Sequence, residues 1–137
     1  MLSQKAKYAL QALAYLGSRY EEEKPVLISQ IAQEKKIPLK FLETILNDLK
    51  KAEVLQSVRG RAGGYLFKQH PSKTNVAHIM RIIDGPIALL SCVSLNFYKA
   101  CDNCDQHHCR IGPIMSEARD AILQVLEKRT LWDLKDE

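Results

Sequence analysis

The sequence contains no apolar run that approaches the roughly 18 residues of a membrane-spanning helix. Its N-terminal stretch carries Lys5 and Lys7, but Gln11 interrupts the apolar residues and no convincing cleavage site follows. The stretch therefore does not resemble a secretory signal peptide. We predict a cytoplasmic protein with no membrane partner.

The sequence also lacks the features on which many enzymes depend. No glycine-rich phosphate loop precedes a predicted helix, no carboxylates are paired for acid–base chemistry, and no series of strands predicts a scaffold for a catalytic pocket. We therefore expect no enzymatic activity. A thiol-redox enzyme that uses the cysteines is the alternative from that class.

The composition fits one compact domain, because 46% of the residues are hydrophobic and can form a core. The charge is unevenly placed along the chain. Residues 1–70 carry 12 Lys and Arg against 7 Asp and Glu, whereas residues 71–137 carry 8 against 9. The basic excess in the first half favours an anionic partner.

The most informative stretch lies between residues 37 and 65. Its first part predicts an amphipathic helix, because apolar residues recur at steps of three and four. These residues are Leu42, Ile45, Leu46 and Leu49. The opposite face collects groups able to meet base edges or phosphates, namely Lys40, Glu43, Thr44, Asn47 and Lys51.

A small hairpin is predicted directly after this helix. Residues 54–58 and 65–67 favour strands, and the turn between them contains three glycines that permit positive φ angles. The glycines are Gly60, Gly63 and Gly64. Arg59 and Arg61 lie at the turn, where they suit phosphates or a minor groove. A plain hairpin with solubilising arginines is the alternative.

Two helices are predicted before this stretch. Ser3 would cap the first helix, which runs to about Tyr20. Residues 26–28 favour a short strand, and Ser29 would then cap the second helix. A short helix, a tight turn and a longer helix form a helix-turn-helix, whose second helix enters the major groove of DNA. With the hairpin, the prediction is a mainly α-helical winged helix-turn-helix with a small β-hairpin wing.

After the hairpin, Thr74 or Asn75 would cap a fourth helix that Gly85 and Pro86 end. A long helix is predicted over residues 110–129, with apolar residues at close to coiled-coil spacing. They are Ile111, Ile114, Met115, Ala118, Ile122, Val125 and Leu126. Such a stripe predicts packing against a second copy of the chain; folding back onto the first helix is the alternative. Leu131 and Trp132 would dock the tail.

All four cysteines, Cys92, Cys101, Cys104 and Cys109, lie within 18 residues. In a reducing compartment such a cluster indicates coordination of a soft metal, as zinc or as an iron–sulfur centre. Only the Cys101–Cys104 pair has the spacing of a zinc knuckle. Redox-active thiols without metal are the alternative.

We expect four consecutive regions within one compact domain. They are a winged helix-turn-helix (residues 1–71), a connecting helix (72–91), a cysteine sensor loop (92–109), and a dimerisation helix with a tail (110–137).

End to end, the chain resembles the IscR/NsrR-type family of bacterial winged-helix transcriptional regulators, also called the Rrf-two family. The resemblance is carried by KAKYALQALAYL, FLETILNDLKKAEVLQSVRGRAGGY and VAHIMRIIDGP, with a cysteine loop and the closing TLWDL. It implies a sequence-specific regulator that binds a double-stranded DNA operator as a homodimer, with the long C-terminal helix as the dimer seam. An adaptor that binds another polypeptide is a further alternative.

By position, the resemblance implies that Lys40 and Glu43 contact base edges and that Arg59 enters the minor groove. Glu43 suits this role because a carboxylate accepts a hydrogen bond from cytosine N4. The same resemblance implies phosphate contacts from Lys5, Tyr8 and Ser29. Together with the residues predicted above, the candidate DNA-binding set is Lys5, Tyr8, Ser29, Lys40, Glu43, Thr44, Asn47, Arg59, Gly60 and Arg61.

Sensor members of this family hold an iron–sulfur cluster, usually [2Fe–2S], on three cysteines. The resemblance implies Cys92, Cys104 and Cys109 as ligands and redox, iron–sulfur or nitric oxide status as the signal. A fourth cysteine and a longer first gap depart from the family pattern. Cys101 is therefore an alternate to Cys104, and His107 or His108 can complete the site. The alternatives to the cluster are zinc or no metal. The alternative to a cluster sensor is a family regulator without a cluster that senses a metabolite, zinc or a partner protein.

Overall fold

A computed structural model describes residues 2–102 and 109–137 of the chain. Within these ranges the chain forms five α-helices and one two-stranded antiparallel sheet. The elements are α1 (Gln4–Ser18), α2 (Ile28–Lys35), α3 (Leu39–Lys51), β1 (Leu55–Val58), β2 (Gly64–Phe67), α4 (Val76–Ile83) and α5 (Ile111–Leu126). The predicted fold class, mainly helical with a small hairpin, is confirmed. No helix in the described ranges is long and apolar enough to cross a membrane.

Helix α1 is central to the core because small side chains on its buried face allow α2, α3 and α4 to pack closely against it. The completely buried small residues are Ala6, Ala9 and Ala12. Ser3 caps α1 as predicted, and its hydroxyl oxygen accepts the Ala6 N–H at 3.0 Å. The helix ends at Ser18 rather than at Tyr20, because the chain tightens there into a 3-10 turn over Tyr20–Glu22.

Helix α2 differs from the prediction at its beginning. It begins at Ile28 with Leu27 as its N-cap residue, so the predicted cap, Ser29, lies within the first turn. The predicted strand over residues 26–28 is reduced to one bridge between Val26 and Tyr65, whose backbone N–H and carbonyl groups exchange two hydrogen bonds of 2.9 Å. The chain turns into the helix immediately after this bridge, which moves the cap to Leu27.

Helix α3 has the amphipathic character that the sequence predicts. Its four inner residues, Leu42, Ile45, Leu46 and Leu49, are completely buried. Pro38 is its N-cap residue and thus immediately precedes the first turn. Lys36 makes the tight turn from α2, with a backbone in the left-handed region at φ 54°. Because the inner face is fixed in the core, the orientation of the outer face is fixed as well.

Strands β1 and β2 form the predicted hairpin, with Leu55 opposite Phe67 and Val58 opposite Gly64. Gly60 and Gly64 have the positive φ angles expected of the turn, at +106° and +146°. Gly63 does not, but a Cβ atom there would lie 2.2 Å from the Val58 carbonyl oxygen. Space, rather than φ, therefore requires glycine at position 63.

Gly64→Ala is expected to reduce the free energy of unfolding by about 3 kcal/mol. A Cβ atom at position 64 would lie 2.2 Å from the Val26 carbonyl oxygen, and the bridge to Tyr65 would have to open. Gly60→Ala is the matched control: its φ is also positive, but no described atom lies within 4 Å of the added Cβ. Its expected loss is about 1 kcal/mol. Urea unfolding measures both, and equal losses would contradict the importance of the close approach to Val26.

Helix α4 begins after Asn75, whose side-chain oxygen accepts the His78 N–H at 2.8 Å. Helix α5 is shorter than the predicted residues 110–129, beginning at Ile111 and ending at Leu126. The two helices meet in a small apolar cluster of Ala77, Ile87 and Leu123. Leu123 was not part of the predicted stripe on α5, whereas Leu126 of that stripe is partly buried against the same cluster.

The C-terminal tail, residues 130–136, packs against the N-terminal helices. Leu131 is completely buried, and the Trp132 ring packs edge-on against Tyr20 with 5.9 Å between ring centroids. The Asp136 N–H donates to a carbonyl of α1, and the Asp136 carboxylate pairs with Lys35 of α2 at 2.5 Å. The predicted docking of Leu131 and Trp132 is observed, and it ties the end of α5 to α1 and α2.

Candidate nucleic-acid interface and cysteine pocket

The outer face of α3 and the hairpin tip present polar and basic side chains to solvent. The exposed members of the predicted DNA-binding set are Ser29, Lys40, Glu43, Thr44, Asn47, Arg59, Gly60 and Arg61. Since α3 ends at Lys51 and β1 begins at Leu55, three residues connect α3 to the first strand of the hairpin. The arrangement combines an exposed polar helix with a basic tip and suits a ligand that carries both hydrogen-bonding groups and negative charge.

The other two predicted residues, Lys5 and Tyr8, are half-buried and join α1 to α3. The Lys5 ammonium pairs with the Asp48 carboxylate at 2.8 Å. The Tyr8 ring packs edge-on against Phe41 with 5.5 Å between ring centroids. Sequence analysis did not identify Asp48 or Phe41 as partners, because they lie 43 and 33 residues away along the chain from Lys5 and Tyr8. No local pattern signals such contacts.

Helix α5 has two different apolar faces. Leu123 faces α4 and is buried, and the Arg119 guanidinium on a neighbouring face donates to the Val93 carbonyl oxygen at 2.6 Å. The predicted stripe, in contrast, is largely exposed to solvent in the single chain. Ile111, Ile114 and Val125 are exposed to 59%, 61% and 58%, and Ile122 to 38%. An apolar row of this length on one helix face is typical of a surface that another element covers.

Three cysteines lie around one pocket of about 310 Å³ between the 3-10 turn at Ser91–Val93 and the beginning of α5. They are Cys92, Cys101 and Cys109, and Val93, Tyr98 and Pro113 are among the other lining residues. The pKa of the Cys92 thiol is raised, mainly by a hydrogen bond with Cys101 and to a lesser extent by burial. The raised pKa favours the protonated thiol at neutral pH.

The thiols of Cys92 and Cys101 are hydrogen-bonded to each other, and Cys109 lines the same pocket. Within residues 2–102 and 109–137, no three His, Cys, Asp or Glu side chains are grouped so as to hold a single metal ion. Thiolates are ligands both of zinc and of iron–sulfur clusters, so the described donors do not choose between the two. Cys104, His107 and His108, which the sequence predicted as a ligand and two alternates, lie outside the described residues.

The chain is similar to known proteins along nearly its whole length. Residues 2–137 match the Rrf2 family, described as iron-dependent transcriptional regulators. An rrf2-like HTH-type transcriptional regulator of Rhodobacter capsulatus is 41% identical over 137 residues, which cover 98% of this chain and 91% of the relative.

Two solved structures share the fold along nearly the whole chain. CymR, the global cysteine regulator of B. subtilis, superposes with a TM-score of 0.79 at 26% identity and covers 98% of this chain and 95% of its own. IscR of T. potens superposes with a TM-score of 0.76 at 26% identity, over 98% of this chain and 85% of its own.

Proposed function

The chain belongs to the Rrf2 family of transcriptional regulators, and on that premise we propose that it binds a DNA operator as a homodimer through α3 and the hairpin. The observation that carries the proposal is the contrast within α3. Its inner face is completely buried, while Lys40, Glu43 and Asn47 on the outer face are exposed, as is the basic hairpin tip. Members of this family regulate transcription and are not enzymes, so the surface serves recognition rather than catalysis.

In the proposed complex α3 is the recognition helix in the major groove. Glu43 accepts a hydrogen bond from cytosine N4, and Lys40 donates to a base edge or a phosphate. Arg59 enters the minor groove, and the remaining hairpin residues approach the sugar–phosphate backbone. Contacts from Tyr8, Ser29, Thr44, Asn47, Gly60 and Arg61 fix the orientation of the helix in the groove. Lys5, the remaining member of the set, adds a phosphate contact to the extent that it leaves its ion pair with Asp48.

Arg59→Ala is expected to weaken operator binding about tenfold or more, because an arginine in the groove contributes about 1–3 kcal/mol. The probe is a duplex selected from a random-sequence pool by binding to the protein, called the selected duplex below. Fluorescence anisotropy at several salt concentrations measures the affinity and its salt dependence. Lys68→Ala is the matched control, since it removes one positive charge from the other end of the hairpin, where Lys68 pairs with Glu53 at 3.1 Å. Equal losses in the two variants would contradict the role of Arg59.

Asp48→Asn is expected to strengthen binding to the selected duplex about threefold. The substitution would release Lys5 from its 2.8 Å ion pair and allow it to contact a phosphate. Because the homodimer contains Lys5 twice, two added phosphate contacts would steepen the slope of log affinity against log salt by about 1.8. In the Lys5→Gln background the same substitution would lose most of its effect. A gain that persists undiminished without Lys5 would contradict this assignment.

The exposed stripe on α5 supports the homodimer. Two copies related by a twofold axis would bury Ile111, Ile114 and Val125 against their equivalents, an isologous interface. The same axis would place two recognition helices on the two half-sites of a pseudo-palindromic operator. Burial of such side chains is worth about 1.5–3 kcal/mol each, which gives the association its driving force.

We further propose that the cysteine pocket holds a [2Fe–2S] cluster, with zinc or no metal as the alternative. Cys92 and Cys109 would be two ligands, and Cys104 or Cys101 the third, with His107 or His108 available to complete the site. The donor set fits, because thiolates are the preferred ligands of iron–sulfur clusters and three of them surround one pocket. When bound, the cluster would supply a redox-sensitive centre next to α5.

The test of this proposal is anaerobic purification followed by a UV–visible spectrum and by analysis for iron, sulfide and zinc. We expect visible absorbance with iron and sulfide in equal amounts. Zinc without sulfide would overturn the cluster and favour a structural zinc site. Protein free of all three would favour a family member that senses a metabolite or a partner protein.

The contact between Arg119 and Val93 offers a route from the pocket to α5. Val93 directly follows Cys92, so a rearrangement of this segment would alter the 2.6 Å bond from the Arg119 guanidinium and the position of α5. A coupling of about 1–3 kcal/mol would change operator affinity roughly 5- to 150-fold. Gel-shift titration of the selected duplex with cluster-loaded and cluster-free protein measures this difference, and equal affinities would contradict it.

A further inference from the structure

Leu39, the first residue of α3, is an apolar side chain without a place in the core. It is 46% exposed, whereas the inner residues of the same helix are completely buried. Removing so exposed a side chain has little effect on packing energy. Its position in the fold therefore does not account for a leucine.

The neighbours of Leu39 place it on the surface proposed to contact bases. Lys40 follows it, and Glu43 lies one helical turn further along the same flank, since residues four apart are neighbours on a helix. Phe41, the other exposed apolar residue of this turn, lies on the opposite flank and packs against Tyr8. Leu39 thus adds an apolar group beside a carboxylate suited to cytosine.

We infer that Leu39 contacts the 5-methyl group of a thymine in each half-site and so contributes to operator specificity, an inference that rests on α3 being the recognition helix. The thymine methyl is the apolar group that base pairs present in the major groove. It projects from the pyrimidine edge, next to the position at which Glu43 would accept from a neighbouring cytosine. N-terminal residues of a recognition helix are those that reach base edges.

The experiment uses the selected duplex with its thymines replaced, one symmetric pair at a time, by deoxyuridine. This change removes the 5-methyl group and preserves base pairing. For the wild-type protein, loss of the contacted methyl group is expected to weaken binding about fourfold in each half-site. The symmetric pair of replacements at that position is therefore expected to weaken binding roughly 15-fold. Leu39→Ala is expected to bind the thymine duplex more weakly by a similar factor and to show no further loss on that replacement. Its thermal unfolding should match the wild type.

Leu27→Ala is the matched control, because Leu27 is a leucine of almost equal exposure, 45%, at the N-cap of α2. It is expected to keep the discrimination between thymine and deoxyuridine. Discrimination between thymine and deoxyuridine that survives in Leu39→Ala would overturn the inference about Leu39 and leave the proposed DNA-binding function standing. Wild-type binding that is unchanged by every replacement would have the same consequence. If the random pool yields no enriched duplex, the proposed DNA-binding function is overturned and this inference with it.

Discussion

Ile114→Glu is expected to convert the homodimer into monomers and to weaken binding to the selected duplex by at least about 10³-fold. Ile114 is 61% exposed in the single chain and lies on the apolar stripe of α5. In an isologous interface the substitution occurs twice, so the dimer would lose two apolar contacts of about 1.5–3 kcal/mol each. It would also bury two unpaired carboxylates, at a further cost of several kcal/mol. A monomer contacts one half-site and forfeits the affinity of the second head.

Analytical ultracentrifugation of the full chain measures the first effect, and anisotropy with the selected duplex measures the second. Gln124→Glu is the matched control, because it adds the same charge to an exposed position on another face of α5. Val125→Glu, which also lies on the exposed stripe but near the other end of the helix, is expected to act like Ile114→Glu. A dimer that survives both stripe substitutions would show that α5 is not the seam.

Cys92→Ala is expected to reduce the iron bound per chain to less than about a tenth and to abolish the visible absorbance. The pocket would keep two of its three described thiols, and loss of one protein ligand leaves an iron site open to solvent and to exchange. Cys92 is half-buried, so the free energy of unfolding of the cluster-free protein should change by less than about 1 kcal/mol.

Ser91→Ala is the matched control for Cys92→Ala, because Ser91 adjoins Cys92 and is exposed. It should retain the full iron content. Cys101→Ala and Cys104→Ala, compared side by side, identify the third ligand: the family spacing favours Cys104, whereas the described pocket contains Cys101. A normal spectrum from Cys92→Ala would contradict the ligand assignment.

Much of the local structure could be predicted because the direction of a side chain follows from its position along a helix or strand. The predicted burial of the inner face of α3 was correct at all four positions. The glycine-rich turn also formed as expected, with positive φ angles at Gly60 and Gly64. The predicted end of α1 was wrong because the chain tightens into a 3-10 turn over Tyr20–Glu22. The predicted beginning of α2 was wrong because the bridge from Val26 to Tyr65 overrides local capping preferences. The DNA contacts, the homodimer and the four regional boundaries stay predictions.

The sequence by itself determined the order of the elements, the buried face of α3, the basic hairpin tip and membership of the family. The elements, the buried face and the tip depend on periodicity or on turn motifs that a continuous stretch of the chain contains, and the family resemblance depends on several such stretches. Only the tertiary structure decided the contacts between distant segments. It paired Lys5 with Asp48, packed Leu123 with the neighbouring Leu126 against the cluster shared with α4, and placed Cys101 beside Cys92. Such contacts depend on how whole helices pack, which no local pattern specifies.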